Sequence, residues 1–441
     1  MKPIAQTVDE ATPHGIAAAV ARLIRSGDLA PGDRLPTVRE LAADLGVSPA
    51  TVSHAWQALS RVGLIVSRGR SGSFVRATPR KWLPPRFQGL ASQLEATRLD
   101  LSTGTPDPTL LPALGPALSR VSMRAGTVSY LDQPVIPELD AILRDTWSYD
   151  VEAVTVVDGA LDALSRALDL VVRFGDKVVV EDPGFPPIFD LLDHFGAVRV
   201  PVGLDESGMR PDLLEEALTL RPTVVVLQPR AQNPTGRSLT PARAEELARV
   251  IRRSRHASKA IVIEDDHSGE IAAARDVSLG SWIPDQVLHI RSFSKSHGPD
   301  LRIAAVGGPR ELIEQLVARR ILGPGWTSRM LQTMLHDLLT NATSVSQVND
   351  ARRLYRARQW QLSGALAAHD VTLPPSDGIN TWLRVADERA AIVQLAAAGI
   401  RVAAGTPFQA SLDGSFVRVT AGHLRSDFGS VAETLAAASR A

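Results

Sequence analysis

The sequence predicts an α/β protein in three parts: a small helix–turn–helix unit closed by a β-hairpin, a large mostly parallel sheet flanked by helices, and a small C-terminal α+β lobe. Three observations carry this. Residues 14–78 hold short helical patterns and then a Gly/Arg-rich turn between apolar runs. From about residue 98, the runs VTVVDG, KVVVEDP, TVVVLQP, AIVIEDD, VLHIRSF and RIAAVGG alternate with helical segments. Runs with so little polar alternation are central strands covered on both faces. From about residue 340 the pattern turns to helices and shorter strands, GINTWLRV and SFVRVTA.

The expected boundaries are 10–78 for the N-terminal unit, 79–97 for a linker, 98–339 for the large domain and 340–441 for the small lobe. The stretch RATPRKWLPPRFQGL (76–90) is rich in proline and basic residues, which suits a linker better than a packed element.

Basic and acidic residues balance at 48 each, so total charge does not select a nucleic-acid partner. The distribution does. Residues 1–80 carry ten Lys/Arg against six Asp/Glu, an excess suited to a phosphate backbone at this end of the chain. The absence of cysteine excludes disulfides and thiolate metal sites and agrees with a cytoplasmic setting. The opening MKPIAQTVDE lacks the apolar run of a secretory signal, and no run of about 18 apolar residues predicts a membrane span. The histidines show no His-Glu-x-x-His spacing and there is no Gly-x-x-x-x-Gly-Lys-Ser/Thr loop, so neither metal catalysis nor NTP hydrolysis is indicated.

In the first unit, HGIAAAVARLIRSGDL places Ile16, Val20, Leu23 and Ile24 on one helical face. Thr37-Val-Arg-Glu40 is a capping box that opens a second helix with Leu41 and Leu45 inward. Gly46 turns the chain, Ser48 caps a third helix and Pro49 takes its first position. Two helices joined by a tight glycine turn form a helix–turn–helix, whose second helix presents Pro49, Ala50, Thr51, Ser53 and His54 to a major groove. LIVS-RGRSG-SFV then reads as a hairpin with Arg68 and Arg70 at its tip, placed for phosphates or the minor groove. A helical dimerisation module with a solvated basic face is the alternative reading.

In the large domain, ligands of an open α/β sheet sit beyond the carboxyl ends of the strands. Polar residues follow five of the apolar runs: Ser294-Lys295, then Asp265, Asp266 and His267, then Asn233-Pro-Thr-Gly236, Gly184-Phe185-Pro186, and the Gly159-Ala160-Leu161 turn. Pyridoxal phosphate needs such a set. Lys295 supplies the Schiff-base amine and Asp265 a carboxylate for the pyridine nitrogen. Asn233, with His267 nearby, supplies donors at the phenolate oxygen, and Phe185 stacks on the ring. The 159–161 turn, Ser292, Ser294 and Arg302 hold the phosphate through a helix start, hydroxyls and a guanidinium. Singly, each residue has an ordinary role as a turn, surface or core position; their order and shared placement at strand ends make the set.

The segment GDLAPGDRLPTVRELAADLGVSPATVSHAWQALSRVGLIVSRGRSGSFV resembles the GntR-type winged helix, in which Arg39, Thr51, Ser53, Arg68 and Gly72 fall where family members touch DNA; Ser48, His54 and Arg70 complete the candidate DNA-binding set. Pro49 and Ser53 stand where such proteins often carry arginines. Residues from about 98 to 435 resemble a fold-type-I aminotransferase through Ser-Phe-Ser-Lys295, Arg302 seven residues beyond it, and Asn233-Pro-Thr-Gly. Joined, the two resemble the MocR-type regulators. That resemblance implies a DNA operator as partner, an amino compound or pyridoxal phosphate as effector through a Lys295 aldimine, and a head-to-tail homodimer in which each DNA-binding unit rests on the other subunit. It also implies that Tyr130 reaches a neighbour's phosphate and that Arg418 grips an effector carboxylate. Two departures stand out: His267 replaces a usual tyrosine, and Gly159-Ala-Leu-Asp162 replaces a usual Gly-x-Gln-Gln.

Three functions compete: a ligand-controlled regulator that retains some half-reaction chemistry, an active aminotransferase with an auxiliary DNA-binding unit, and a repressor whose large domain is vestigial. The winged helix separates the first from the second, and the complete cofactor set argues against the third.

Overall fold

The computed structural model describes residues 4–8, 10–61, 64–67, 72–76, 84, 86, 97–121, 129, 132–374, 376–411 and 414–440. The first unit follows its local signals closely. The helix Pro13–Ser26 starts where the Thr12 side chain accepts from the Gly15 amide, and it ends at Gly27 in the left-handed conformation. The helix Val38–Leu45 opens on the reciprocal capping box, Thr37 N to Glu40 Oε2 at 2.7 Å and Glu40 N to Thr37 Oγ1 at 3.2 Å. Gly46, at φ 66°, closes that helix. The Ser48 hydroxyl then accepts from the Thr51 amide as the helix Pro49–Arg61 begins. Ile16, Val20 and Leu23 bury against Val52, Trp56 and Leu59 to make the core of this unit. Strands β1 (Ile65–Ser67) and β2 (Ser73–Val75) pair antiparallel, and Arg34 bridges to Phe74 beside them.

Three residues of the linker, 84, 86 and 97, are described. Arg86 anchors it to the large domain through Asp190 at 2.6 Å and Asp193 at 2.8 Å. Phe174, from the large domain, packs against the core of the winged-helix unit.

Beyond the linker come β3 (Leu99–Leu101), β4 (Ala153–Val157), β5 (Lys177–Asp182), β6 (Val198–Asp205), β7 (Gly208–Met209), β8 (Val224–Leu227), β9 (Ile261–Asp266), β10 (Val287–Ser292) and β11 (Ala304–Gly308). Eight of these form one sheet in the order β4-β11-β10-β9-β8-β5-β6-β7. The ladders β10–β9, β9–β8, β8–β5 and β5–β6 are parallel, while β11 runs antiparallel to both its neighbours. The six expected strands are all present. β6 was not expected, because Pro201 and Gly203 interrupt its apolar run.

Side chains alternate between the two faces of the sheet. Val178, Val180, Val224, Val226 and Ile263 pack with the helix Ala160–Val171, whereas Val179, Val225 and Val262 pack with the helices Pro211–Leu218 and Pro241–Arg253. Fully apolar strands are what this double burial requires.

The small lobe adds β12 (Thr381–Val385), β13 (Ile400–Ala404) and β14 (Ser415–Val419), in the order β12-β14-β13-β3. This corrects the boundary drawn at residue 98. β3 pairs in parallel with β13, so residues 99–101 complete the small lobe's sheet. Sheet pairing, not chain order, assigns them, because an unpaired edge there would leave backbone groups unsatisfied. Among the described residues no helix is long and apolar enough to cross a membrane.

Candidate functional site

The carboxyl ends of β5, β8, β9 and β10 lie side by side, and their loops converge. Lys295 follows β10 by three residues and its Nζ donates to the Gly104 carbonyl. Burial pushes this amine down to about 8, helped by the Arg418 guanidinium and opposed by Asp265. Gly104, at φ 62°, has room for nothing larger, since a Cβ there would stand 2.7 Å from Arg418 Nη1.

Asp265 is buried at the end of β9. Its Oδ2 accepts from Gln228 Nε2 at 2.7 Å, while its Oδ1 is buried with no hydrogen-bond partner among the described residues. Burial raises this carboxyl to about 6, against the Gln228 hydrogen bond and the charge of Lys295. Gln228 also accepts from the Asn233 amide at 2.8 Å and so ties two site residues to one side chain. Behind it, burial lifts Glu181 to about 8, which makes this carboxyl neutral at pH 7.

Asn233 Oδ1 lies 3.4 Å from both Asn380 Nδ2 and Arg418 Nη1. Arg418, on β14, is buried, donates to the Ser102 carbonyl and lies 5.0 Å over the Phe408 ring. It makes no ion pair among the described residues, and its Nε and Asn380 Oδ1 are buried without partners there. Burial alone draws Arg418 down to about 10. Arg418 is therefore held by the Ser102 carbonyl and Asn233 and not by a salt bridge among the described residues.

At the far end of the site, Gly159 sits at φ 99° as the N-cap of the helix Ala160–Val171. Arg302 crosses it, donating to the Asp158 carbonyl at 3.0 Å, and a Cβ on Gly159 would stand 2.7 Å from Arg302 Nη2. Asp162 turns away from this cradle, accepting from the Asp158 amide and pairing with Arg166 at 2.8 Å. The acidic residue of the Gly159-Ala160-Leu161-Asp162 turn therefore does not face the anion position. Ser292 is buried and Ser294 half-buried; the Ser292 hydroxyl accepts from the Ser294 amide at 3.3 Å. Phe185 is the half-buried N-cap residue of the helix Pro186–Phe195, beyond the end of β5.

His267 differs from its expected role. Its Nε2 stands 2.9 Å from the Ala231 carbonyl, and burial lowers the ring to about 4. A neutral ring that gives its one N–H to a carbonyl has only an acceptor left at Nδ1. Of the two side chains expected to supply donors, Asn233 is the one that retains side-chain N–H groups. Tyr130, Arg68 and Arg70 lie outside the described residues. On the winged helix, Arg39, Ser48 and His54 are exposed and Thr51 and Ser53 half-buried. Gly72, at φ 100°, packs close to the Arg34 side chain.

Residues 96–435 match the aminotransferase class I and II family, and residues 13–75 match the bacterial regulatory proteins of the gntR family. The chain is 34% identical over 418 residues to the vitamin B6 salvage pathway transcriptional repressor PtsJ of Salmonella typhimurium, covering 94% of this chain and 95% of that protein. It is 28% identical to the pyridoxine biosynthesis transcriptional regulator PdxR of Corynebacterium glutamicum, covering 81% and 80%. Among solved structures, the α-aminoadipate aminotransferase LysN of Thermus thermophilus superposes with a TM-score of 0.70 at 23% identity, covering 81% of this chain and 96% of that one.

This chain belongs to the GntR-type regulators fused to a class I and II aminotransferase domain.

The regulator's strand-end residues fit pyridoxal 5'-phosphate, the cofactor of this family. Asp265 Oδ1 is a buried acceptor in need of an N–H, and the Gly159 cradle under Arg302 leaves room only where a side chain is missing. Gln228, Gly104 and Asn380 were not legible beforehand. Each lies outside the motifs and enters the site only through the fold.

Proposed function

We propose that the regulator senses a small amino compound, or pyridoxal phosphate itself, at Lys295 and converts that binding into a change in operator affinity. The observation that carries this reading is Asp265 Oδ1, a buried carboxylate oxygen without a donor, beside a lysine whose amine burial draws down to about 8. Bound pyridoxal phosphate supplies an aldehyde that joins covalently to amines and a ring that withdraws electrons. The chain's own residues do the rest. Asp265 keeps a proton on the ring nitrogen, and Asn233 donates to the phenolate oxygen. Phe185 covers the ring, while Arg302, Ser292, Ser294 and the Ala160 and Leu161 amides hold the phosphate. Arg418, with Asn380 beside it, binds an effector carboxylate. Two relatives are named for vitamin B6 salvage and pyridoxine biosynthesis, which supports including pyridoxal phosphate among the effectors tested.

DNA is read by the helix Pro49–Arg61 through Thr51, Ser53 and His54, with Arg39, Ser48, Arg68, Arg70 and Gly72 on the backbone and wing. The working unit is a head-to-tail homodimer. Ile321 at the end of the helix Arg310–Ile321, Leu322 just after it and Met330 in the first turn of the helix Arg329–Thr340 are exposed; Thr327, between the two helices, donates to Asp158 at 2.7 Å next to the phosphate cradle, and a second copy would cover them. Tyr130 is the residue expected to reach the neighbouring phosphate. A ligand shifts such a dimer only if it binds the two arrangements unequally.

The test is the visible absorption spectrum of protein mixed with pyridoxal phosphate. Wild type should develop a band that one class of amino compound shifts, and Lys295→Ala should develop none. An identical spectrum for the two proteins would defeat the assignment of Lys295.

A further inference from the structure

Behind the cofactor site, on the opposite side of the strand ends, lies a second cavity of about 480 Å³. That is within the roughly 300–1,000 Å³ of small-molecule sites. One wall is apolar, formed by Ile142, Leu338, Leu339 and Val348. The facing wall is charged, and most of its charges are already matched. Arg230 is paired with Asp266, while Arg291 and Arg352 share Glu270 at 3.2 and 3.3 Å.

Two adjacent groups keep unused hydrogen-bonding capacity. Arg275 is exposed at the rim and forms no ion pair or hydrogen bond among the described residues. Asp276 accepts no hydrogen bond there either; its nearest cation is Arg230 at 3.8 Å. The buried cluster of Asp266, Asp276 and His289 surrounds Arg230, so its cation is the protein's own.

An unpaired cation beside a carboxylate that is loosely ion-paired and lacks a hydrogen bond, opposite a hydrocarbon wall, matches a zwitterion with an apolar body. We infer that this cavity is a second ligand site, for a free α-amino acid with an apolar side chain. Its carboxylate meets Arg275, its ammonium meets Asp276, and its side chain lies against Leu338, Leu339 and Val348. The site is distinct from the one at Lys295 and needs no covalent step.

The cavity touches the cofactor site through neighbouring residues of the same strands. Asp265 and Asp266 are consecutive on β9 and point to opposite faces, one toward Lys295 and one toward Arg230. Arg230 is followed by Ala231, whose carbonyl holds His267. Arg291 is the penultimate residue of the strand that leads to Lys295. Occupation of the cavity therefore presses on the backs of the residues that frame the cofactor.

The experiment is calorimetric titration of pyridoxal-phosphate-loaded protein with L-leucine, L-methionine and L-phenylalanine, and with N-acetyl-L-leucine and L-leucinamide as probes lacking one charge. At least one amino acid should bind, with each singly charged probe weaker by about tenfold. Arg275→Gln and Asp276→Asn should weaken it by a similar factor. Ala273→Trp, at an exposed lining position, should abolish binding by filling the cavity. Lys295→Ala and Arg418→Gln should leave binding in place, which separates this site from the one at Lys295. Absence of binding across the three amino acids would overturn the inference. So would binding that Arg418→Gln removes and Ala273→Trp spares.

Discussion

Lys295 illustrates how the site is built at the scale of single residues. Burial lowers its amine to about 8 from an ordinary value of 10.5, so the unfolded chain binds more protons than the folded one between those values. Stability gained from this group therefore rises with pH across that window, and below about pH 8 the buried charge is a standing cost. In the cofactor-free protein, Lys295→Met should raise the melting temperature at pH 7, and the advantage should fade by about pH 10. Thermal denaturation at the two pH values checks this; an advantage that grows with pH would contradict it. Lys295, Asp265, Asn233, Arg302 and Arg418 were legible because each follows a strand or matches a short motif. Gln228 was not, since it joins Asp265 to Asn233 by two side-chain hydrogen bonds that no local pattern announces. His267 follows β9 as its motif suggests, but its N–H is directed at Ala231, a contact between two separate loops.

Elements set the geometry that residues use. The proposed phosphate cradle is a helix start whose N-cap residue must lack a side chain, because Gly159 has a positive φ and Arg302 crosses directly above it. Gly159→Ala should weaken pyridoxal phosphate by about tenfold or more while leaving phosphate-free pyridoxal nearly unchanged. Equilibrium titration of the absorption band with both compounds measures this, and equal losses would place the phosphate elsewhere. Local chemistry was enough for the winged helix. The Thr37–Glu40 capping box, Gly46 and the Ser48 cap each appear in the sequence as they do in the fold. It was insufficient for β6, whose Pro201 hides a strand, and for β3, whose partner lies about 300 residues away at Ile400–Val402.

At the scale of the whole molecule, the chain joins a DNA-reading unit to a cofactor-binding domain through a linker pinned by Arg86 to Asp190 and Asp193. The order of units followed from composition and run length, whereas their association does not reside in any single run. Leu322 is 91% exposed and follows Ile321 at 62%, so the two place adjacent apolar surface in solvent. Leu322→Glu should shift the molecule from dimer to monomer in sedimentation equilibrium, with operator affinity falling in parallel; an unchanged mass would reject this loop as the interface.

The most direct test of the central claim measures affinity for a DNA duplex selected by this protein from a random pool. Fluorescence anisotropy would compare pyridoxal-phosphate-loaded wild type with Lys295→Ala, each with and without the amino compound that shifts the absorption band, using Arg39→Ala as the reference for a lost DNA contact. The account predicts that the compound changes wild-type affinity by about tenfold and leaves Lys295→Ala unmoved. Equal responses from the two proteins, or none from wild type, would contradict control of the operator through Lys295.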